Sequence, residues 1–383
     1  AANCALLTVG QGVSGLLQFE ASTARSLVVT NDVLIKTGGI LQSNSSGTIT
    51  TNIFSVGGNL INNGTINFSS NSNAAGTGII FTGASNATFG GNGSVTNIQT
   101  ITVNKGSSNS IILEVDPSNF TVKNVATDVS GFLTLQNGTF KLSGTFAGTN
   151  RVFAVPAFSI PATAGFWLNN PNYIVVGQAS NCINDGMLRI SAGIMNIGAV
   201  SSNEMKPTTG ISGASFIFEG GVTNIAGKLR AGSTSNVSVT VSGGIINVTT
   251  VGNSSDNPGF GFTSTSNTIN ITGGVINLIQ RNKYSVTASR RDYNVIGGIV
   301  NVTGGTLNVG TSATNTGYDF MIGGNIPNLV VDNSGAPKIA KLSGSANVYG
   351  DVLLNSGTTL DVNGKDGFSI IGNSGNVGNL LNN

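Results

Sequence analysis

Gly243-Gly244-Ile245-Ile246-Asn247-Val248 is one copy of a phrase that recurs along the chain: two glycines, an apolar residue, any residue, asparagine and a second apolar residue. It reads GGVTNI from Gly220-Gly221, GGVINL from Gly273-Gly274, GGIVNV from Gly297-Gly298, GGTLNV from Gly304 and, in weaker form, AGIMNI from Ala192. The asparagines fall at Asn196, Asn224, Asn247, Asn277 and Asn301, at intervals of 28, 23, 30 and 24 residues, and Asn308 belongs to the last copy. A repeat of roughly 26 residues lies in the range of solenoid proteins.

Ahead of the glycines the chain alternates, as in Val237-Ser238-Val239-Thr240-Val241-Ser242, so one face is aliphatic and the other polar, the pattern of a half-buried strand. After them the fourth and sixth positions are apolar together (Ile246 and Val248, Ile276 and Leu278, Leu307 and Val309), which predicts a second strand with its own inner face. The glycine pair reads as a corner, because a tight bend needs a positive φ or a close backbone approach. Strand, corner, strand predicts an all-β chain folded as a parallel β-helix, a right-handed β-solenoid of roughly 15 coils. On that geometry the asparagines stack about 4.8 Å apart as a ladder of side-chain amides. Alternation points the column outward, beside Val222, Ile245, Val275, Ile299 and Thr306. A corner can reset the alternation, so the direction stays open, and an asparagine that only tolerates a left-handed turn is the plainer reading.

Composition agrees. Of 383 residues 55 are Gly and only 8% are charged, against about 25% in an average domain. The net charge of +2 supplies no field for nucleic acid or an anionic membrane, and no apolar run is long enough to span a bilayer. Cys4 and Cys182 are too far apart along a straight solenoid for a disulfide. The organisation divides into less regular coils over 1–150, a Pro/aromatic-rich interruption over 151–180, the regular repeats over 181–310 and short coils over 311–383. Within the interruption Pro156, Pro161 and Pro171 mix with Phe153, Phe158, Phe166, Trp167 and Tyr173. Proline is kept out of central strands, so we expect a loop or bulky rung here: an aromatic plug, or, where Trp167 and Tyr173 are exposed, a sugar-binding platform. Arg281, Lys283, Arg290 and Arg291 gather in eleven positions, a solvated edge or a contact for an anionic glycan. The chain starts at Ala1 rather than Met and reaches Asn383 without a polar cap, so we expect a processed segment of a longer polypeptide.

The chemistry is mostly excluded. There is no His, which removes Ser-His-Asp and Cys-His nucleophiles and imidazole metal sites, and two distant cysteines make no zinc centre. No phosphate loop, calcium repeat or cofactor motif is present, so neither cofactor nor metal is expected. Glu114 and Asp116 form the single close acidic pair, both on one face of a strand-like segment. They carry the enzymatic alternative, a polysaccharide lyase or glycoside hydrolase of the β-helix type.

The passages Phe166 to Gly177, Gly186 to Gly198 and Phe218 to Leu229, with the tail from Leu342 to Gly364, resemble the β-helical regions of very large surface proteins of Bacteroidota. These are exported by the type IX secretion system, and gliding-motility adhesins are among them. The resemblance covers roughly 160–364 and is one of repeat style. It implies a non-catalytic stalk or adhesin module on the outer-membrane exterior, with an extracellular glycan, a surface or another cell-surface protein as partner. Secretion machinery and membrane anchor would act through regions outside this chain. Asn170-Pro171-Asn172 also resembles the NPN motifs of filamentous-haemagglutinin-type exoproteins, themselves β-helical.

Overall fold

The computed structural model describes residues 1–12, 14–122, 131–153, 158–285, 289–315, 317–373 and 377–383. Pro156 and the side chain of Phe158 lie outside the described residues. The fold is a β-solenoid of parallel strands in stacked coils, about 14 turns where the repeat length gave 15, with almost no helix. It divides into two compact units, Ala1–Val176 and Gly177–Asn383.

In the first unit each coil lays three short strands on three parallel sheets. Ala2–Cys4, Leu7–Val9 and Gly15–Gln18 make one coil, and Ser26–Val29, Val33–Ile35 and Gly39–Gln42 stack on it in register. Period-2 alternation decides what is inside: Val29, Val56, Phe81 and Val103 are fully buried, each one rung from the next. From Leu133–Leu142 onward two of the three sides fuse into one strand that runs through a bend, with Gly138 at φ +83° on the turn.

Ala164–Val175 has the same form, so of the loop and the bulky rung expected here these residues form the rung, and it continues the coils. Its first half pairs with Gly138–Leu142 and its second with Gly148–Asn150. Pro171 falls between the two ladders to the preceding coil, neither of which needs its missing N–H. Asn170 Oδ1 accepts the Asn172 N–H at 2.9 Å, so Asn-Pro-Asn turns the chain where other coils use glycine. The aromatic residues do plug the core: Phe166 is fully buried and stacks on Phe140 at 6.2 Å with rings 5° apart.

The second unit repeats long bent strands, Met187–Ile197, Ser212–Ile225, Asn236–Val248, Thr268–Leu278 and Ile299–Val309, paired in parallel. A second sheet of short strands, Cys182–Asn184, Glu204–Lys206, Lys228–Ala231, Phe260–Phe262 and Tyr293–Val295, closes each coil. The glycine pair is therefore a bulged bend inside one strand rather than a gap between two, and the register slips there, between Glu219 and Val222 and between Thr272 and Val275.

Its two glycines serve different needs. The second takes positive φ, +63° at Gly221, +74° at Gly244, +75° at Gly274 and +84° at Gly305. The first is pressed onto the preceding rung: a Cβ on Gly220, Gly243 or Gly273 would stand 2.2, 2.3 and 2.3 Å from the carbonyl oxygens of Ser191, Glu219 and Ser242. Gly297-Gly298 is not such a corner. Neither residue has positive φ, and the pair precedes the strand Ile299–Val309 instead of bending it. The bend of that strand is Gly304-Gly305.

Candidate functional site

Met195, Ile246, Ile276 and Leu307 fill the core of the second arm, and the asparagines between core positions face outward and are half-buried. The amide Nδ2 of each donates to Oδ1 of the one a coil earlier: Asn224 to Asn196 at 2.9 Å, then Asn247 to Asn224, Asn277 to Asn247 and Asn308 to Asn277, each at 2.8 Å. The column is thus Asn196, Asn224, Asn247, Asn277, Asn308. Asn301 does not belong to it. It lies on the first arm opposite Asn270, to which it donates at 2.7 Å. Ile299 likewise faces Thr268, so the outward row is Ile194, Val222, Ile245 and Val275, all aliphatic, followed by Thr306.

The first unit holds ladders that the glycine phrase did not point to. Gln42 donates to Gln18 at 2.6 Å, Asn97 to Asn67 at 2.9 Å and Asn137 to Asn104 at 2.9 Å. Their signal in the sequence is a lone amide after two apolar or Thr positions, at Gln18, Gln42, Asn67 and Asn97, spaced by 24, 25 and 30 residues.

The first arm of the second unit presents Ser238, Thr240 and Ser242, then Thr268, Asn270 and Thr272, then Ile299, Asn301 and Thr303, in adjoining rungs. The charges on this face are those of the Arg189–Glu219 pair: the Arg189 guanidinium binds Glu219 bidentately at 2.9 and 2.8 Å while Ser191 donates to the same carboxylate. Burial opposes ionisation of Glu219, yet the Arg189 and Ser191 hydrogen bonds and the Arg189 charge outweigh it and hold the carboxyl below its usual range.

Arg281, Arg290 and Arg291 of the basic cluster are engaged within the fold, whereas Lys283 is exposed. Arg290 is 4% exposed and donates to the Asp319 carboxylate at 2.5 Å and to its carbonyl oxygen at 3.0 Å, and Arg281 pairs with the other carboxylate oxygen. Arg291 is half-buried, donates to the Arg290 carbonyl oxygen at 2.7 Å, and has its pKa lowered by burial. Asp292 beside it is fully buried. Its carboxylate accepts the backbone N–H groups of Met321, at 2.7 Å, and of Asn282. Burial pushes it up to about 6 against those two bonds.

The sugar platform is corrected in part. Tyr173 is fully buried, its hydroxyl donating to Asn150 Oδ1 at 2.6 Å, and burial raises its pKa. Trp167 faces outward, half-buried, with Lys141 Nζ 4.4 Å from its ring centroid. Lys141 also pairs with Glu114 at 2.6 Å. Thr88, Glu114, Lys141 and Trp167 occupy one outward column on consecutive rungs. Two features that the sequence offered separately, Glu114 of the acidic pair and Trp167, are therefore on one face, while Asp116 lies just past the end of the strand Ile112–Val115. Burial opposes ionisation of Glu114, but the Lys141 hydrogen bond and charge prevail and lower its pKa. Burial and then the Glu114 charge raise that of Asp116.

Both cysteines are free. Among the described residues no group of three or more Cys, Asp or Glu side chains could hold a metal, and no helix is long and apolar enough to cross a membrane. Compared with known proteins, the sequence matches no family model, and no curated protein or solved structure matches the chain.

Proposed function

We propose that this chain is a non-catalytic extension and attachment module of a secreted cell-surface protein. The single observation that carries this reading is the outward lattice of the second unit, in which Ser, Thr and Asn side chains repeat at rung spacing on strands locked in register by amide ladders. Hydroxyls and amides are both donors and acceptors, so an uncharged lattice of them suits a polyhydroxylated polymer. Its side chains are already ordered by the sheet and lose little further freedom on binding. The resemblance to gliding-motility adhesins supports export by the type IX system of a Bacteroidota cell and display outside the outer membrane.

The test is binding of the labelled chain to a glycan array and to intact cells. Wild type is expected to bind, and Thr240→Lys with Asn270→Lys, which put two ammonium groups in the lattice, is expected to abolish binding with the fold retained. Release of reducing or unsaturated sugars from a polysaccharide panel would replace this reading with the lyase or hydrolase one.

A further inference from the structure

The face of the first unit that carries Glu114 also carries a groove of about 180 Å³, lined by Asn59, Asn86, Thr88, Ile112, Glu114 and Lys141. Sites that engulf a whole small molecule take about 300–1,000 Å³, so this one suits a single ring of a longer ligand. Its polar groups are held in place from behind. Asn59 donates to Asp32 at 3.1 Å and accepts the Thr88 N–H at 2.9 Å, while Asn86 Oδ1 accepts the Ile112 N–H at 2.9 Å. The Asn86 amide N–H groups and the Thr88 hydroxyl make no bond among the described residues, and both border the groove. Ile112 supplies an apolar patch beside them.

We propose that this groove is a subsite for one neutral pyranose residue of a polysaccharide, held through a vicinal diol by the Glu114–Lys141 pair. This rests on the glycan-attachment reading above and names its ligand class. Each sugar hydroxyl both donates and accepts. A carboxylate and an ammonium at 2.6 Å from each other offer the matching acceptor and donor to two neighbouring hydroxyls, with Asn86 and Thr88 in reach of the rest of the ring edge. The charge around the groove selects against acidic sugars. Glu114, Asp116 just past its strand and within reach of the Glu114 and Lys141 charges, and Asp32 behind Asn59 outnumber Lys141, so a uronate meets net negative charge. Lys141 is further held by the Trp167 ring one rung on, which fixes the donor in advance.

The experiment is affinity electrophoresis of the full chain through gels containing a neutral glucan, mannan or galactan, or polygalacturonate. At least one neutral polymer is expected to retard the protein and polygalacturonate is not. Glu114→Gln and Thr88→Val are each expected to weaken retardation by about tenfold, the worth of one charge-assisted or neutral bond to the ligand. Far-UV circular dichroism confirms that both variants fold, and Thr88→Val keeps the β-branched shape should Glu114→Gln not fold. Equal retardation by polygalacturonate overturns the proposal. So does neutral binding that survives both groove variants but is lost in Asn270→Lys on the second unit, an outcome that leaves the attachment reading standing. Retardation by no polymer overturns both.

Discussion

Replacing Asn247 by alanine removes two side-chain hydrogen bonds, the one it donates to Asn224 and the one it accepts from Asn277, both 2.8 Å. Replacing Asn308 removes one, because the next rung of its column is Val330 and continues no ladder. A net bond is worth about 0.5–1.5 kcal/mol, and these half-buried amides can turn to water, so the lower part of that range applies. We expect a loss of about 1–2 kcal/mol for Asn247→Ala and about half that for Asn308→Ala. Sharing makes the sharper test. The Asn224–Asn247 bond is lost in either single variant, so Asn224→Ala with Asn247→Ala should fall short of the sum by one bond, about 0.5–1 kcal/mol. Asn247→Ala with Asn301→Ala, which share no partner, should add. Trp167 lies in the first unit and does not report on this one, so urea unfolding is followed by circular dichroism and the second unit by hydrogen exchange. Equal losses at Asn247 and Asn308, or an additive Asn224/Asn247 pair, would refute the ladder as an energetic element.

Gly243→Ala drives a Cβ to 2.3 Å from the Glu219 carbonyl oxygen and should cost more than about 3 kcal/mol, whereas Gly232→Ala, with nothing within 4 Å and no positive φ, should stay within about 1 kcal/mol of wild type in the same urea assay. Asp292 takes its proton at about 6 in the folded chain and near 3.8 in the unfolded one, so it binds more protons folded than unfolded between those values, and stability falls as pH rises through that window. Relative to Asp292→Asn, wild type should lose up to about 3 kcal/mol between pH 4 and 7, and a pH-independent difference would show that the carboxyl is not raised. Tyr173→Phe should cost about 1–3 kcal/mol by stranding Asn150 Oδ1, with glycan retardation unchanged; lost retardation would restore Tyr173 to a binding role.

What was legible in the sequence was local. The glycine pair, the alternation before it and the apolar fourth and sixth positions are properties of one short segment, and they sufficed for strands, bend and solenoid. What failed needed register. GGIVNV from Gly297 has the letters of a corner, but only the pairing of Asn301 with Asn270 shows that it begins an arm rather than bending one. Tyr173 and Trp167 are six residues apart in one strand, yet the Asn-Pro-Asn bend between them resets the alternation, so one is core and the other faces out. The groove column carries a signal that local reading passes over. Thr88, Glu114, Lys141 and Trp167 are spaced by 26, 27 and 26 residues, one coil each, and share no motif.

The outward direction of the Asn column does not make it the binding surface. An asparagine inside the core would have to satisfy its whole amide from neighbours, whereas an outward one can leave its second N–H and lone pair to water, so the ladder is cheap to keep. What it contributes is register. The strands of the second arm are apolar inside except at Thr223, and Ile, Val and Leu pack almost as well in one register as in another two residues away. A two-residue slip keeps the inner face inside but moves every asparagine opposite an aliphatic residue of the row Ile194, Val222, Ile245, Val275, breaking four amide bonds at once. Because those bonds are made between coils, the glycan contact proposed above falls to side chains that the ladders leave over, the hydroxyls of the first arm and the Glu114–Lys141 groove.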